Sequence, residues 1–134
     1  MKLTPHQVEL IRSTFALLEP KSGVVALAFF QRLFALDPSL RELISSDIDA
    51  EADELMRLLR AATTLADQPR ALQAKFARED TRLFKLGAWQ DNREAVGEAL
   101  LWSLGTTLGR EFTPEARVAW ATLVAAATEN RAPA

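Results

Sequence analysis

Few residues in this sequence are of the types that perform chemistry. The chain has one histidine, His6, and no cysteine or tyrosine. The lack of cysteine excludes disulfides, thiolate nucleophiles, zinc–sulfur sites and iron–sulfur clusters. No histidine base lies near a serine, and no glycine-rich loop of the phosphate-binding type occurs. The sequence therefore contains no catalytic constellation, and we expect a protein that is not an enzyme.

Carboxylates form the one dense group of charged side chains. Negative charge at the start of a helix is stabilised by the helix dipole, which favours a structural role for this group. A site for a hard cation is the alternative, but the spacing is not that of an EF-hand loop. We therefore predict no metal site. The group consists of Asp47, Asp49, Glu51, Asp53 and Glu54.

Composition places the chain among single globular domains, here spanning residues 1–134. Hydrophobic residues make up 49% and charged residues 25%, which is typical of a folded domain and not of a disordered chain. The net charge of −2 gives no basic face for nucleic acid. We see neither a signal peptide nor an apolar run of the roughly 18 residues that span a membrane, so a cytoplasmic location is the default expectation.

Proline and glycine separate segments whose apolar residues recur at helical spacing. The sequence between Val24 and Phe30 is apolar on nearly all sides, which predicts burial on several sides. No alternating strand pattern occurs, so we predict an all-α domain of six to eight helices with a frayed tail at 131–134. The predicted helices cover residues 4–18, 22–36, 37–44, 52–65, 69–87, 91–108 and 113–130.

Three motifs resemble the globin family, specifically bacterial single-domain globins and the globin part of flavohaemoglobins. The segment 29–40, Phe-Phe-Gln-Arg-Leu-Phe-Ala-Leu-Asp-Pro-Ser-Leu, is similar to the family's Phe-Tyr-x-Arg-Leu-Phe-x-x-x-Pro-x-Leu. The segment 96–104 is similar to the Val-Gly-Glu-x-Leu-Leu stretch of the penultimate globin helix, and 112–120 to the start of the last. Together with an N-terminal Leu-Thr-Pro-x-Gln, these motifs follow the family order and imply a globin-like fold.

The resemblance does not extend to the proximal side of the haem pocket. In the family, a histidine upstream of Val-Gly-Glu binds the iron. An ungapped count places Leu83 at that position, and a count with a one-turn insertion places Glu79 there. Neither residue is a usual haem ligand. The tyrosine that supports the histidine in flavohaemoglobins corresponds to Arg93.

The distal side is altered as well. The family tyrosine that hydrogen-bonds bound oxygen matches Phe30, and the phenylalanine that wedges the haem matches Ile44. The distal glutamine matches approximately Glu51, while Leu55 retains an apolar wall. Met56 is a conceivable iron ligand on the same helix, but a lone methionine at helical spacing is more typical of a core.

These substitutions lead to the hypothesis that ordinary histidine-ligated haem binding has been lost. No cofactor is then expected, and the chain acts as a haem-free module that binds or senses an apolar ligand or interacts with a protein. One alternative is a divergent haem-binding globin, for oxygen or nitric oxide, with an atypical or missing proximal ligand. Another is a structural protein with a filled core.

The last two long helices are the predicted contact surface. Trp102 and Trp120 lie on them, and the family often dimerises through this helix pair. Aromatic residues are favoured at interfaces, although a tryptophan on a long helix is also typical of a core. We expect a homodimer built from helices 91–108 and 114–130.

Overall fold

The computed structural model describes residues 3–43, 47–78 and 93–128, and these ranges contain α-helices and 3₁₀ turns but no strand. The predicted all-α class is confirmed, and the six α-helices found here fall within the predicted number. Short 3₁₀ segments occupy Glu19–Lys21, Pro38–Leu43 and Gly109–Glu111. The helices are α1 (Pro5–Leu18), α2 (Ser22–Leu36), α3 (Ile48–Thr64), α4 (Pro69–Arg78), α5 (Arg93–Leu108) and α6 (Pro114–Thr128).

Side-chain caps fix where the helices begin. At the start of α1 the backbone N–H of Gln7 donates to the Thr4 hydroxyl at 3.1 Å, and the N–H of Thr4 donates to Gln7 Oε1 at 3.0 Å. This reciprocal capping box satisfies two N–H groups that have no partner within the helix. At the start of α3 the Asp47 carboxylate accepts from the N–H of Ala50 at 3.1 Å. The structural interpretation of Asp47 is therefore confirmed.

The hydrophobic core lies where the six helices pack against one another. Helix α2 packs most extensively against α5 and also contacts α3, while α1 packs against α3 and α6. Helices α4 and α5 both contact α6. The largest completely buried side chains come from five of these helices and include Ile11, Phe29, Leu72, Leu104 and Trp120, while α3 contributes Leu55, which is 2% exposed.

Trp120 belongs to this core, which is the alternative that the sequence leaves open for a tryptophan on a long helix, so its indole is not part of the predicted contact surface. Its indole is completely buried, and Nε1 donates to the Thr14 hydroxyl at 2.6 Å. The Thr14 hydroxyl in turn donates to the carbonyl of Leu10 at 2.7 Å. A buried polar partner on α1 explains how the indole N–H can leave water without losing its hydrogen bond.

Helix α2 is buried on one broad side only, which corrects the prediction for residues 24–30. Val24 is 58% exposed and Leu27 is 53% exposed, while Val25, Phe29 and Leu33 are fully buried. The helix carries more apolar residues than its buried side can accommodate, and the excess faces water.

The stretch 5–36 is long and apolar enough to cross a membrane by length and composition alone. It consists of α1, a 3₁₀ turn containing Pro20, and α2. Ile11, Leu18 and Phe29 within it are completely buried among the other helices. Because its apolar residues build the core of this fold, the stretch does not show a membrane span.

Candidate functional site

Two of the predicted distal positions lie on helices that pack against each other. Phe30 is on α2 and Leu55 is on α3, and each is only 2% exposed. Both belong to the main hydrophobic core, which also receives Leu40 from the 3₁₀ segment between these helices. The structure therefore places both residues in one apolar core.

Phe30 lies in the middle of an aromatic stack formed by Phe29, Phe30 and Phe34. The rings of Phe29 and Phe30 meet edge to face, with centroids 5.0 Å apart and planes at 76°. The rings of Phe30 and Phe34 are stacked at 6.1 Å and 28°. The guanidinium carbon of Arg41 lies 5.1 Å from the centroid of the Phe34 ring, an attractive cation–π arrangement at the outer end of the stack.

Glu51 is the one acidic residue among the predicted distal positions. It lies in the first turn of α3, where its backbone N–H donates to the carbonyl of Asp47 at 3.1 Å. Its side chain is buried, although buried carboxylates are rare in proteins. Leu55 follows it by one helical turn, so the two side chains lie on the same face of α3.

The structure describes no side chain for the remaining predicted positions. Ile44, Glu79 and Leu83 lie outside the described residues, as does the side chain of Arg93, the first residue of α5. The sequence itself still limits the proximal side, because it contains no histidine other than His6.

His6 lies at the surface, in the first turn of α1. Its side chain is 64% exposed, and Nε2 is 3.9 Å from a carboxylate oxygen of Glu115 near the start of α6. The core positions Phe30 and Leu55 are completely enclosed, so this exposed imidazole is not part of their surroundings. Met56, by contrast, is buried in the same core as Leu55.

Arg32 connects two of the motifs on which the resemblance rests, a contact that sequence analysis did not predict. From α2 its Nη2 donates to Glu98 Oε2 at 3.1 Å on α5. Its guanidinium carbon also lies 5.4 Å from the ring centroid of Trp102, one helical turn after Glu98. The i, i+4 spacing of Glu98 and Trp102 is the sequence feature from which a shared partner could have been inferred.

Trp102 is 40% exposed, so it remains available at the surface of α5. Unlike Trp120, it is a surface indole and fits the predicted contact surface. Val118, on α6, is a second large apolar side chain that is mainly exposed. The homodimer itself stays a prediction.

Two surface grooves flank the N-terminal half of α1. The larger, of about 650 Å³, lies between α1 and the α3–α4 connection and is lined by residues that include Val8, Arg12 and Pro69. The smaller, of about 430 Å³, lies between α1 and the start of α6 and includes His6. Neither is lined by a predicted haem-pocket position.

The acidic group at the start of α3 forms no evident metal site. Within the described ranges, no three histidine, aspartate or glutamate side chains are placed to hold one ion. Asp49 and Glu51 lie in the first turn of α3, where the positive end of the helix dipole stabilises their charge.

Comparison with known proteins points to one family. A flavohemoprotein of Deinococcus radiodurans is 26% identical over 122 residues, covering 89% of this chain. The neuroglobins of Tetraodon nigroviridis and Danio rerio are each 26% identical, over 133 and 136 residues, and cover 89% and 91% of the chain. No family model matches.

These matches differ in how much of each relative they include. The chain spans 30% of the length of the flavohemoprotein but 84% and 86% of the two neuroglobins. The neuroglobin matches therefore cover most of both partners, and they agree with the helical architecture. Together the similarities support a globin family, and the chain is an all-α protein with a globin-like fold.

Proposed function

We propose that this chain is a haem-free globin-fold module that acts by binding, sensing or protein interaction and not as an enzyme. The carrying observation is that its only histidine is the exposed His6 on the first turn of α1. Haem iron in proteins is held by histidine, cysteine, methionine or tyrosine side chains. The chain has no cysteine or tyrosine, which leaves methionine as its only buried donor type.

The described distal residues also do not fit an ordinary haem site. Phe30 has no hydroxyl to donate to a ligand on the iron, and Leu55 is apolar. Glu51 is the only ionisable group among these positions, and a carboxylate is an acceptor when charged. The residues thus supply neither the usual iron ligand nor the usual partner for bound oxygen.

A second candidate function is a divergent haem-binding globin with an atypical or missing proximal ligand. It is favoured by the relative named flavohemoprotein, which matches 89% of this chain. Met56 is the donor this alternative would use, since it is buried on α3 beside the distal wall. Because of these relatives, haem binding is the alternative against which the haem-free proposal has to be tested.

Absorbance of the protein purified from haem-sufficient cells tests the proposal directly. We expect no stoichiometric Soret band, and only weak binding of added haemin without a histidine-ligand spectrum. Leu83→His should strengthen haemin binding if the ungapped alignment holds, and Glu79→His if the one-turn insertion does. Leu83→Asn and Glu79→Gln are the matched controls, because they alter the same positions without adding an imidazole.

A sharp Soret band at one haem per chain in the unmodified protein would overturn the haem-free proposal and favour the alternative. Loss of that band in Met56→Leu would then identify the ligand, because leucine retains the volume and removes the sulfur.

For the partner we propose a second copy of this chain, contacting α5 and α6 through the Trp102 side of α5. The exposed indole supports this proposal, and the buried Trp120 is no longer part of it. We also propose a cytoplasmic location.

A further inference from the structure

We infer that the distal side of the former haem slot is closed by the chain's own side chains, so that the module acts through its surface and not through a ligand held beside Phe30 and Leu55. This inference rests on the proposed haem-free function and deepens it. It favours protein interaction over small-ligand sensing at this place.

Burial of the two distal positions carries the first step. A side chain that lines an open slot exposes one face to the slot when no ligand is present. Phe30 and Leu55 are each only 2% exposed, which is close to the 0% of Phe29 in the centre of the core. Protein atoms therefore cover nearly the whole surface of both side chains, as in a close-packed interior.

The aromatic stack supplies part of that cover. The rings of Phe29 and Phe30 meet edge to face, and the rings of Phe30 and Phe34 are stacked; such pairs are more favourable than their buried area alone suggests. Arg41 lies over Phe34 at the outer end of the stack. The stack thus runs from Phe29 in the centre of the core to the half-buried Phe34, and its rings occupy two sides of Phe30.

Residue type agrees with this packing. A tyrosine at position 30 would bring a hydroxyl into the hydrophobic core to which Phe30 belongs. A buried hydroxyl without a hydrogen-bond partner is unfavourable. Phenylalanine fills the same volume without that penalty, so the absence of the family hydroxyl is what a closed core requires.

Paired alanine variants test the inference. Phe30→Ala should lower the melting temperature by roughly 10–20 °C, as expected when a large core side chain is removed. Phe29→Ala is the matched control, because it is the same substitution at the adjacent, fully buried position. We expect the two losses to be similar. A loss for Phe30→Ala less than half that of Phe29→Ala would overturn the inference.

If either alanine variant does not fold, the leucine variants Phe30→Leu and Phe29→Leu replace them in the same comparison. Phe30→Tyr adds an independent readout, since it should be destabilising in a closed core and neutral in an open slot. Anilinonaphthalene sulfonate should not fluoresce strongly with the native protein, and strong fluorescence at native pH would contradict closure.

The two proposals fail in different ways. Stoichiometric haem in the purified protein would overturn the haem-free function. A haem-free protein that tolerates Phe30→Ala, or binds the dye strongly, would overturn only the closed slot and make a small apolar ligand the better hypothesis.

Discussion

The hydrogen bond between Trp120 and Thr14 makes a sharp prediction about the stability of the fold. The indole N–H is completely buried and donates to the Thr14 hydroxyl at 2.6 Å, linking α6 to α1. Thr14→Val replaces that hydroxyl with a methyl group of similar size. The substitution therefore removes the acceptor while leaving the volume of the site and the indole ring in place.

The expected loss of unfolding free energy depends on the two groups that lose the Thr14 hydroxyl as a hydrogen-bond partner. The carbonyl of Leu10 loses the Thr14 hydroxyl but remains within α1, and valine and threonine have similar helix propensities. The indole N–H, by contrast, is left buried without a partner, which costs about 1–3 kcal/mol. The folding equilibrium should weaken by roughly 5- to 150-fold.

Urea unfolding followed by circular dichroism measures the loss, and Thr63→Val is its control. Thr63 is also buried, and its hydroxyl donates to the carbonyl of Leu59 at 2.8 Å within its own helix. No donor is stranded when that hydroxyl is removed, so we expect a loss below about 1 kcal/mol.

A double-mutant cycle assigns the effect to the pair. Thr14→Val should cost much less when Trp120→Phe has already removed the N–H, since nothing then remains unpaired. If Thr14→Val costs no more than Thr63→Val, or the same in both backgrounds, the hydrogen bond does not stabilise the fold as argued.

Two further predictions concern a turn and a surface. Gly109→Ala should lower the free energy of unfolding by about 1 kcal/mol, because Gly109 has a left-handed backbone (φ 59°) after α5. Gly23→Ala is the control and should be neutral or slightly stabilising, because nothing lies within 4 Å of the added carbon. Equal losses in urea unfolding would contradict this explanation. Trp102→Ala should weaken self-association in sedimentation velocity, while the control Val24→Ala, at another exposed apolar residue, should not. If the unmodified protein is a monomer at tens of micromolar, the dimer proposal is wrong.

Local features of this fold could be predicted well from the sequence. The cap at Thr4 and the bounds of α2 depend on residues that are neighbours in the chain, so their physical causes are visible in the sequence. The short helix predicted after Asp37 is present as a 3₁₀ segment, Pro38–Leu43. It is short and begins at proline, conditions under which 3₁₀ geometry is common.

Features that depend on distant contacts were harder to predict. Trp102 and Trp120 lie on adjacent helices and are equivalent by residue type, yet one is exposed and the other is completely buried. The buried indole of Trp120 has its acceptor in Thr14, 106 positions away, which the local sequence does not reveal. Likewise, the apolar run of α2 gave no indication that Val24 and Leu27 would remain outside the core.

The candidate site stays a prediction, for a related reason. Family motifs identified Phe30 and Leu55 as distal positions, and the structure places both in the core. Whether such residues line a slot or fill it depends on the surrounding volume, which the order of residues does not specify. The contacts of Phe30 with Phe29 and Phe34 are among the observations from which we infer that the slot is filled.

The contact between Arg32 and α5 explains how the fold and the haem chemistry could separate. Arg32 belongs to one family-like motif, whereas Glu98 and Trp102 belong to another. The contacts of Arg32 join the two motifs across α2 and α5, the two described helices that pack most extensively against each other. None of these contacts involves a haem ligand or a distal position. The contacts of Arg32 therefore join α2 to α5 without using any of the predicted haem-pocket positions.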